Sequence, residues 1–241
     1  MINDILTVMW KETRSLVRNR SMRSRFLFTL LSPLLFALLF PWKMGADWVD
    51  SPMPLMVCAL ISLATVAMLV PDTFAGERER HTLETLLASR LPDRAILLGK
   101  LAVSITLAWG LSMLALILSL GTTNVFAWGS GLILYTPATG LGSLALSLLL
   151  AVLTAGIGVL VSQRAATVQQ ATQTLVATFM FPAVLLQFAF LLFNEQVSGL
   201  IRGINGQQVL LIGLAVLAAI DGVLLTLMLL RFRRSRLVVG L

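Results

Sequence analysis

Six stretches of this chain are long and apolar enough to cross a bilayer, and nothing else in it constrains the fold as strongly. A helix needs about 20 mainly apolar residues to traverse the hydrocarbon. Such stretches run at 25–42, 54–73, 96–120, 132–161, 173–193 and 208–230. In lipid every backbone amide must be satisfied within the structure, so continuous apolar runs of this length read as helices. The fold class expected is all-α: one polytopic membrane domain over 1–241 with six transmembrane helices. Composition agrees, with 58% hydrophobic residues, 12% charged residues and a mean hydropathy of +0.92. A soluble domain is typically about 45–50% apolar and roughly 25% charged.

The charge distribution sets an orientation. The net charge is +7 and the pI near 11.0. In a soluble chain that would suggest nucleic acid as a partner; in a membrane chain the positive-inside bias accounts for it, and no nucleic acid is expected. An even number of spans puts both termini on one side. With that side cytoplasmic, 16 of the 18 Lys and Arg residues fall inside and only Lys43 and Arg202 outside. Trp42, Trp48, Phe126, Trp128 and Tyr135 then gather at the outer interface, where amphipathic rings are favoured. The expected location is a plasma membrane, in bacteria the inner membrane.

Residues 1–20 carry acids and a helical pattern, so they do not read as a cleavable leader. Ile5, Leu6, Met9, Trp10, Thr13, Leu16 and Val17 recur on one face, and Asp4, Lys11, Glu12, Arg14 and Arg18 fill the other. That pattern predicts an amphipathic helix lying in the membrane interface, its cations near anionic lipid head groups.

Little conventional chemistry can be assembled. One histidine, His81, and one cysteine, Cys58, exclude a His-based metal cluster, a Cys–His pair and a disulfide within the chain. The phosphate-binding pattern G-x-x-x-x-G-K-[ST] does not occur. Asp221 is the one acid deep in a span; a charge there costs about 2.5–3.5 kcal/mol or more, so it should face protein or water. It is a pathway candidate as well as a candidate packing residue. Gln187 is a weaker candidate of the same kind, because a neutral amide can simply bond a neighbouring helix. Gly140, Gly142, Gly156 and Gly158 would let other helices approach the fourth span.

Between the second and third spans lies a stretch unlike its surroundings, "ERERHTLETLLASRLPDRAILLGK", residues 77–100. Leu83, Leu86 and Leu87 share one helical face, and Arg80 and Glu84 stand at pairing distance. Pro92 and Asp93 suit the first turn of a new helix. A plain loop would need a few cations but not Glu77, Glu79 and Glu84 among them. The expectation is a rigid cytoplasmic loop, 74–95, with a docking helix in it.

This stretch resembles the cytoplasmic loop of the permeases of ABC-2 type transporters. Glu77, Glu79, Thr82, Glu84, Leu86, Leu87, Pro92, Gly99 and Lys100 match that family's pattern, and His81 stands where the family usually has glycine. "WKETRSLVRNR", 10–20, is similar to its elbow helix, and "GIGVLVSQRAATVQQATQTL", 156–175, to the end of its fourth span. The resemblance implies the membrane subunit of an ABC exporter. Two copies, identical or paralogous, would form the pathway, and each would receive a separate ATP-binding cassette subunit. ATP and magnesium would be held by that partner, so this chain needs no cofactor and is not itself an enzyme. Glu77, Glu79, Thr82, Glu84, Leu86 and Leu87 would couple it to the ATPase. Readings without an ATPase are a channel or secondary transporter, which should line a midplane path with ionisable groups, and a scaffold whose loop docks another partner.

Overall fold

The computed structural model describes residues 2–18, 20–79, 92–126, 131–192 and 205–231; within the helices the side chains of 17–18, 20–23, 25–26, 28–29, 32, 78, 93, 180, 183–192 and 229–231 are outside the description. The described elements are helices: α1 (Ile2–Arg18), α2 (Arg20–Met44), α3 (Asp47–Asp50), α4 (Met53–Glu79), α5 (Asp93–Phe126), α6 (Pro137–Arg164), α7 (Val168–Leu192) and α8 (Gly206–Arg231). No strand occurs among the described residues. Four helical segments among the described residues are long and apolar enough to cross a membrane: Met53–Glu77, Arg94–Phe126, Pro137–Arg164 and Gly206–Met228. They contain the expected spans at 54–73 and 96–120 and most of those at 132–161 and 208–230. The stretches 25–42 and 173–193 fall within α2 and α7, and the described apolar part of α2 runs Pro33–Met44.

Helix ends follow local chemistry. α5 begins directly after Pro92, whose carbonyl accepts from the backbone amides of Ala95 and Ile96. α6 begins at Pro137 rather than at 132. Thr136 is its N-cap, the Thr136 hydroxyl accepting from the Thr139 amide at 3.2 Å, and proline fits the first helical position, which has no amide to satisfy. The apolar residues just before it instead run as an irregular segment along α5. Asn124 holds that segment, its Oδ1 accepting from the Ile133 amide at 2.8 Å and its Nδ2 donating to the Ile133 carbonyl at 2.9 Å.

α4 is the hub, packed against α6 above all and also against α5, α2 and α7. Small residues set the spacing. A Cβ added at Gly158 would lie 2.9 Å from Val70 Cγ1 and 3.3 Å from Leu175 Cδ2, so α4 and α7 both press on α6 there. Gly142 and Gly156 let α8 approach α6 through Leu210 and Leu224. Gly140 meets only Tyr135, which leads into its own helix, so three of the four expected glycines serve packing between helices. Val66, Val70, Leu97, Leu101, Ala151, Ala155, Val159 and Met228 form the main apolar core. Cys58 is buried beside Ser112, which donates to the Cys58 carbonyl at 3.2 Å and bonds the Ser62 hydroxyl at 3.2 Å.

These contacts also fix directions. Gly142–Leu210 and Gly156–Leu224 keep one offset, so α6 and α8 run parallel. Gly142–Leu55 and Gly158–Val70 do the same for α6 and α4. α5 runs against α4, because Ser112 meets Cys58 and Ser62 while Lys100 meets Thr73. α2 starts beside α1, which lies on the start of α5, and ends where Trp42 meets Phe126, with ring centroids 6.0 Å apart. At 25 residues it covers roughly 37 Å, close to the length of the 27-residue α4.

Candidate functional site

The bundle has two polar ends. At one, α1, the end of α4 and the start of α5 converge on Lys100. This side chain is 1% exposed. Its ammonium lies 2.7 Å from Glu77 Oε2 and 3.6 Å from Glu12 Oε1, donates to the Thr73 carbonyl at 2.7 Å, and stands 5.3 Å from the centroid of the Phe74 ring. Lys11 completes the group, 3.6 Å from Glu77 Oε1 and 3.6 Å from Glu12 Oε1. Among the described residues two cations thus face two anions. An unpaired charge at this depth would cost several kcal/mol; here each one finds its opposite.

α1 can reach this group only because residue 99 is glycine. A Cβ there would lie 2.7 Å from Val8 Cβ and 3.2 Å from the Ile5 carbonyl oxygen. The backbones of α1 and α5 therefore cross nearly in contact, and Val8 and Glu12 are buried on the contact side of α1. Away from it, Ile2, Leu6 and Trp10 form an exposed apolar line one turn apart, with the Arg14 guanidinium 5.1 Å from the Trp10 ring centroid. The sequence pattern put Glu12 on the solvated face. It is instead an inward residue, since Lys100 offers it a buried counter-charge that no reading of α1 alone contains.

Glu79 takes a different course. Its Oε2 accepts from the Val168 amide at 3.3 Å, placing a carboxylate at the start of α7, where free amides and the helix dipole favour an anion. The turn from α6 into α7 is so tied to the end of α4. Gln170 supports the same turn, its Oε1 accepting from the Ala166 amide at 2.9 Å. Of the six residues expected to meet an ATPase, Glu77 and the exposed Glu79 thus make contacts with other helices of the chain. Thr82, Glu84, Leu86 and Leu87 lie outside the described residues.

The opposite end is aromatic. The Trp48 indole donates to Tyr135 Oη at 3.1 Å, and Tyr135 Oη bonds the Ser119 hydroxyl at 2.7 Å. Phe40 stacks on Trp48 with centroids 6.4 Å apart and planes 9° apart. Trp42, Trp48, Phe126 and Tyr135 meet here as expected; Trp128 is outside the described residues. Lys43 ends α2 at this same end.

Asp221 sits between the two ends, on the line of α8 that carries Leu210, Leu224 and Met228 toward α6. It is 4% exposed, and neither carboxylate oxygen has a hydrogen-bond partner among the described residues. The side chain of Gln187 is outside the description. Sequence reasoning missed Glu12 outright and gave Lys100 no role beyond a motif match. Two signals were available: an acid in a basic helix, and a Gly-Lys pair opening an apolar span.

No curated relative matches the sequence. The model of the ABC-2 type transporter family matches residues 3–205, from α1 to the threshold of α8. A match over so much of the chain, on an all-helical membrane bundle, decides the family: the chain belongs to the ABC-2 type transporters, as a multi-pass membrane component of a transporter and not as a catalytic chain.

Proposed function

We propose that this chain is the permease subunit of an ATP-driven exporter. It forms the pathway with a second permease copy and receives a separate ATP-binding cassette subunit on the stretch 77–100. The observation that carries this reading is the Lys100 cluster. It roots both ends of the charged loop in the bundle, Glu77 at the loop's start and Lys100 at its close. A loop anchored at both ends by a buried ion pair passes a push on to α4 and α5 instead of absorbing it.

The helix directions favour six spans. α6 and α8 run parallel, so the chain must return between them, and α7 lies on that return. α2 runs from the charged end to the aromatic end, as a first span should. The positive-inside bias makes the charged end cytoplasmic, with both termini there and α1 lying as an elbow in the inner interface, its Ile2–Leu6–Trp10 line toward lipid. The aromatic end then faces outward. The connections at that end, 45–52 and 127–136 between the helix ends and 193–205 before α8, are short, which suits export better than uptake from a delivery protein. Asp221, and with it Gln187, remain proposed pathway contacts. If Asp221 meets cargo, Asp221→Asn changes transport without changing ATPase binding.

The test is co-expression of the chain, wild type and Glu84→Arg, with an ATP-binding cassette subunit encoded beside it, reading copurification and ATP turnover in lipid. The wild type should hold the ATPase and the charge reversal should weaken binding or turnover. A wild-type chain that holds no ATPase would leave a channel or a scaffold as the reading.

A further inference from the structure

The ion cluster does more than close the loop: it also fastens α1. This helix packs on α5 and, more lightly, on α2, and not substantially on the rest of the bundle. Among the described residues its attachment includes Val8 against Gly99, Glu12 beside Lys100 and, at the surface, Lys11 beside Glu77. Lys100 is at the same time the counter-ion of Glu77 and the donor to Thr73, both on α4. One buried ammonium therefore belongs to three helices.

We propose that Glu12 and Lys100 are positioning residues that make α1 a moving part of the coupling apparatus, so that a displacement of the 77–100 loop carries α1 with it and reaches α2 by a second route. The proposal rests on the permease reading above. The physical reason is the cost of the alternative. If the flanks of the loop moved and α1 stayed, Glu12 would part from Lys100 and the Val8–Gly99 contact would open, leaving a buried charge short of a partner. Moving α1 along with the start of α5 keeps both. α2 follows α1 almost immediately in the chain, so a shift of α1 is delivered to the start of the first span, while α4 and α5 receive the same shift directly.

Hydrogen exchange of the full chain in lipid tests this in two arms. In the chain alone, Lys100→Met should speed exchange of amides in 2–18 by about tenfold or more beyond any change in those of 137–164. Gly99→Ala keeps every charge but pushes a methyl group into Val8, and should do the same should Lys100→Met fail to fold. Unaltered exchange in 2–18 in a folded variant overturns the proposal. In the complex with the ATPase, adding magnesium and a non-hydrolysable ATP analogue should change protection of 77–100 and 2–18 together. In Gly99→Ala the loop should still respond while 2–18 no longer follows, a difference that a merely structural role would not produce. A wild-type loop that responds while 2–18 stays silent overturns the inference alone. A loop that is itself silent overturns the permease reading, and the inference with it.

Discussion

The charged end and the aromatic end of this bundle are both polar, both partly buried and both built where helices converge, yet they are held by different physics. At the charged end Lys11, Glu12, Glu77 and Lys100 compensate one another around a buried ammonium, with Lys11 at the solvent side. At the aromatic end neutral hydrogen bonds among Trp48, Tyr135 and Ser119 are set in stacked rings. Removing one member from a neutral network loses a bond. Removing one member from a compensated ion group leaves a charge stranded, which costs far more. The charged end is therefore a stiff joint, suited to passing on force, and the aromatic end an anchor suited to a membrane interface.

That contrast can be broken by substitution. Lys100→Met removes the buried cation and leaves Glu12 and Glu77 only the half-exposed Lys11 among the described residues; it should destabilise the protein by about 3 kcal/mol, read as a fall in thermal midpoint or in recovered folded protein. Tyr135→Phe keeps the ring and loses the bonds to Trp48 and Ser119; it should cost only about 0.5–1.5 kcal/mol in the same assay. If the two substitutions cost the same, the ends do not differ as described. Glu79→Gln sharpens the contrast within the charged end itself, because Glu79 is exposed where Lys100 is not. Its interaction with the start of α7 should contribute about 0.3–1 kcal/mol and fade with added salt, whereas the effect of Lys100→Met should barely depend on salt. Thermal midpoints at low and high ionic strength would show it.

Much of this was legible in the chain. Apolar length marked the helices, Pro92 and Asp93 marked the start of α5, and the glycines of α6 marked close approach, because each is a local signal. The start of α6 was misplaced by the apolar residues 132–135, which were read as span although Thr136 and Pro137 form a helix start. What stayed hidden is the partnership of Glu12 with Lys100. It joins residues far apart in sequence, and a helical wheel of α1 cannot show that its charged side meets another helix. Asp221 was legible as an anomaly, and its burial against α6 was not. The charged stretch 77–100 was recognised by its odd composition, but the physical use of its first acids was not: Glu77 closes an ion group and Glu79 caps a helix.

The central claim is that the charged end faces the cytoplasm, where an ATPase can reach it. In a Cys58→Ser background, Arg164→Cys at the charged end and Asp47→Cys at the aromatic end would be labelled with a membrane-impermeant maleimide, in intact cells and in inside-out vesicles. The account predicts that Asp47→Cys labels in cells and Arg164→Cys only in inside-out vesicles. The reverse pattern, or both positions labelled from one side, would contradict it.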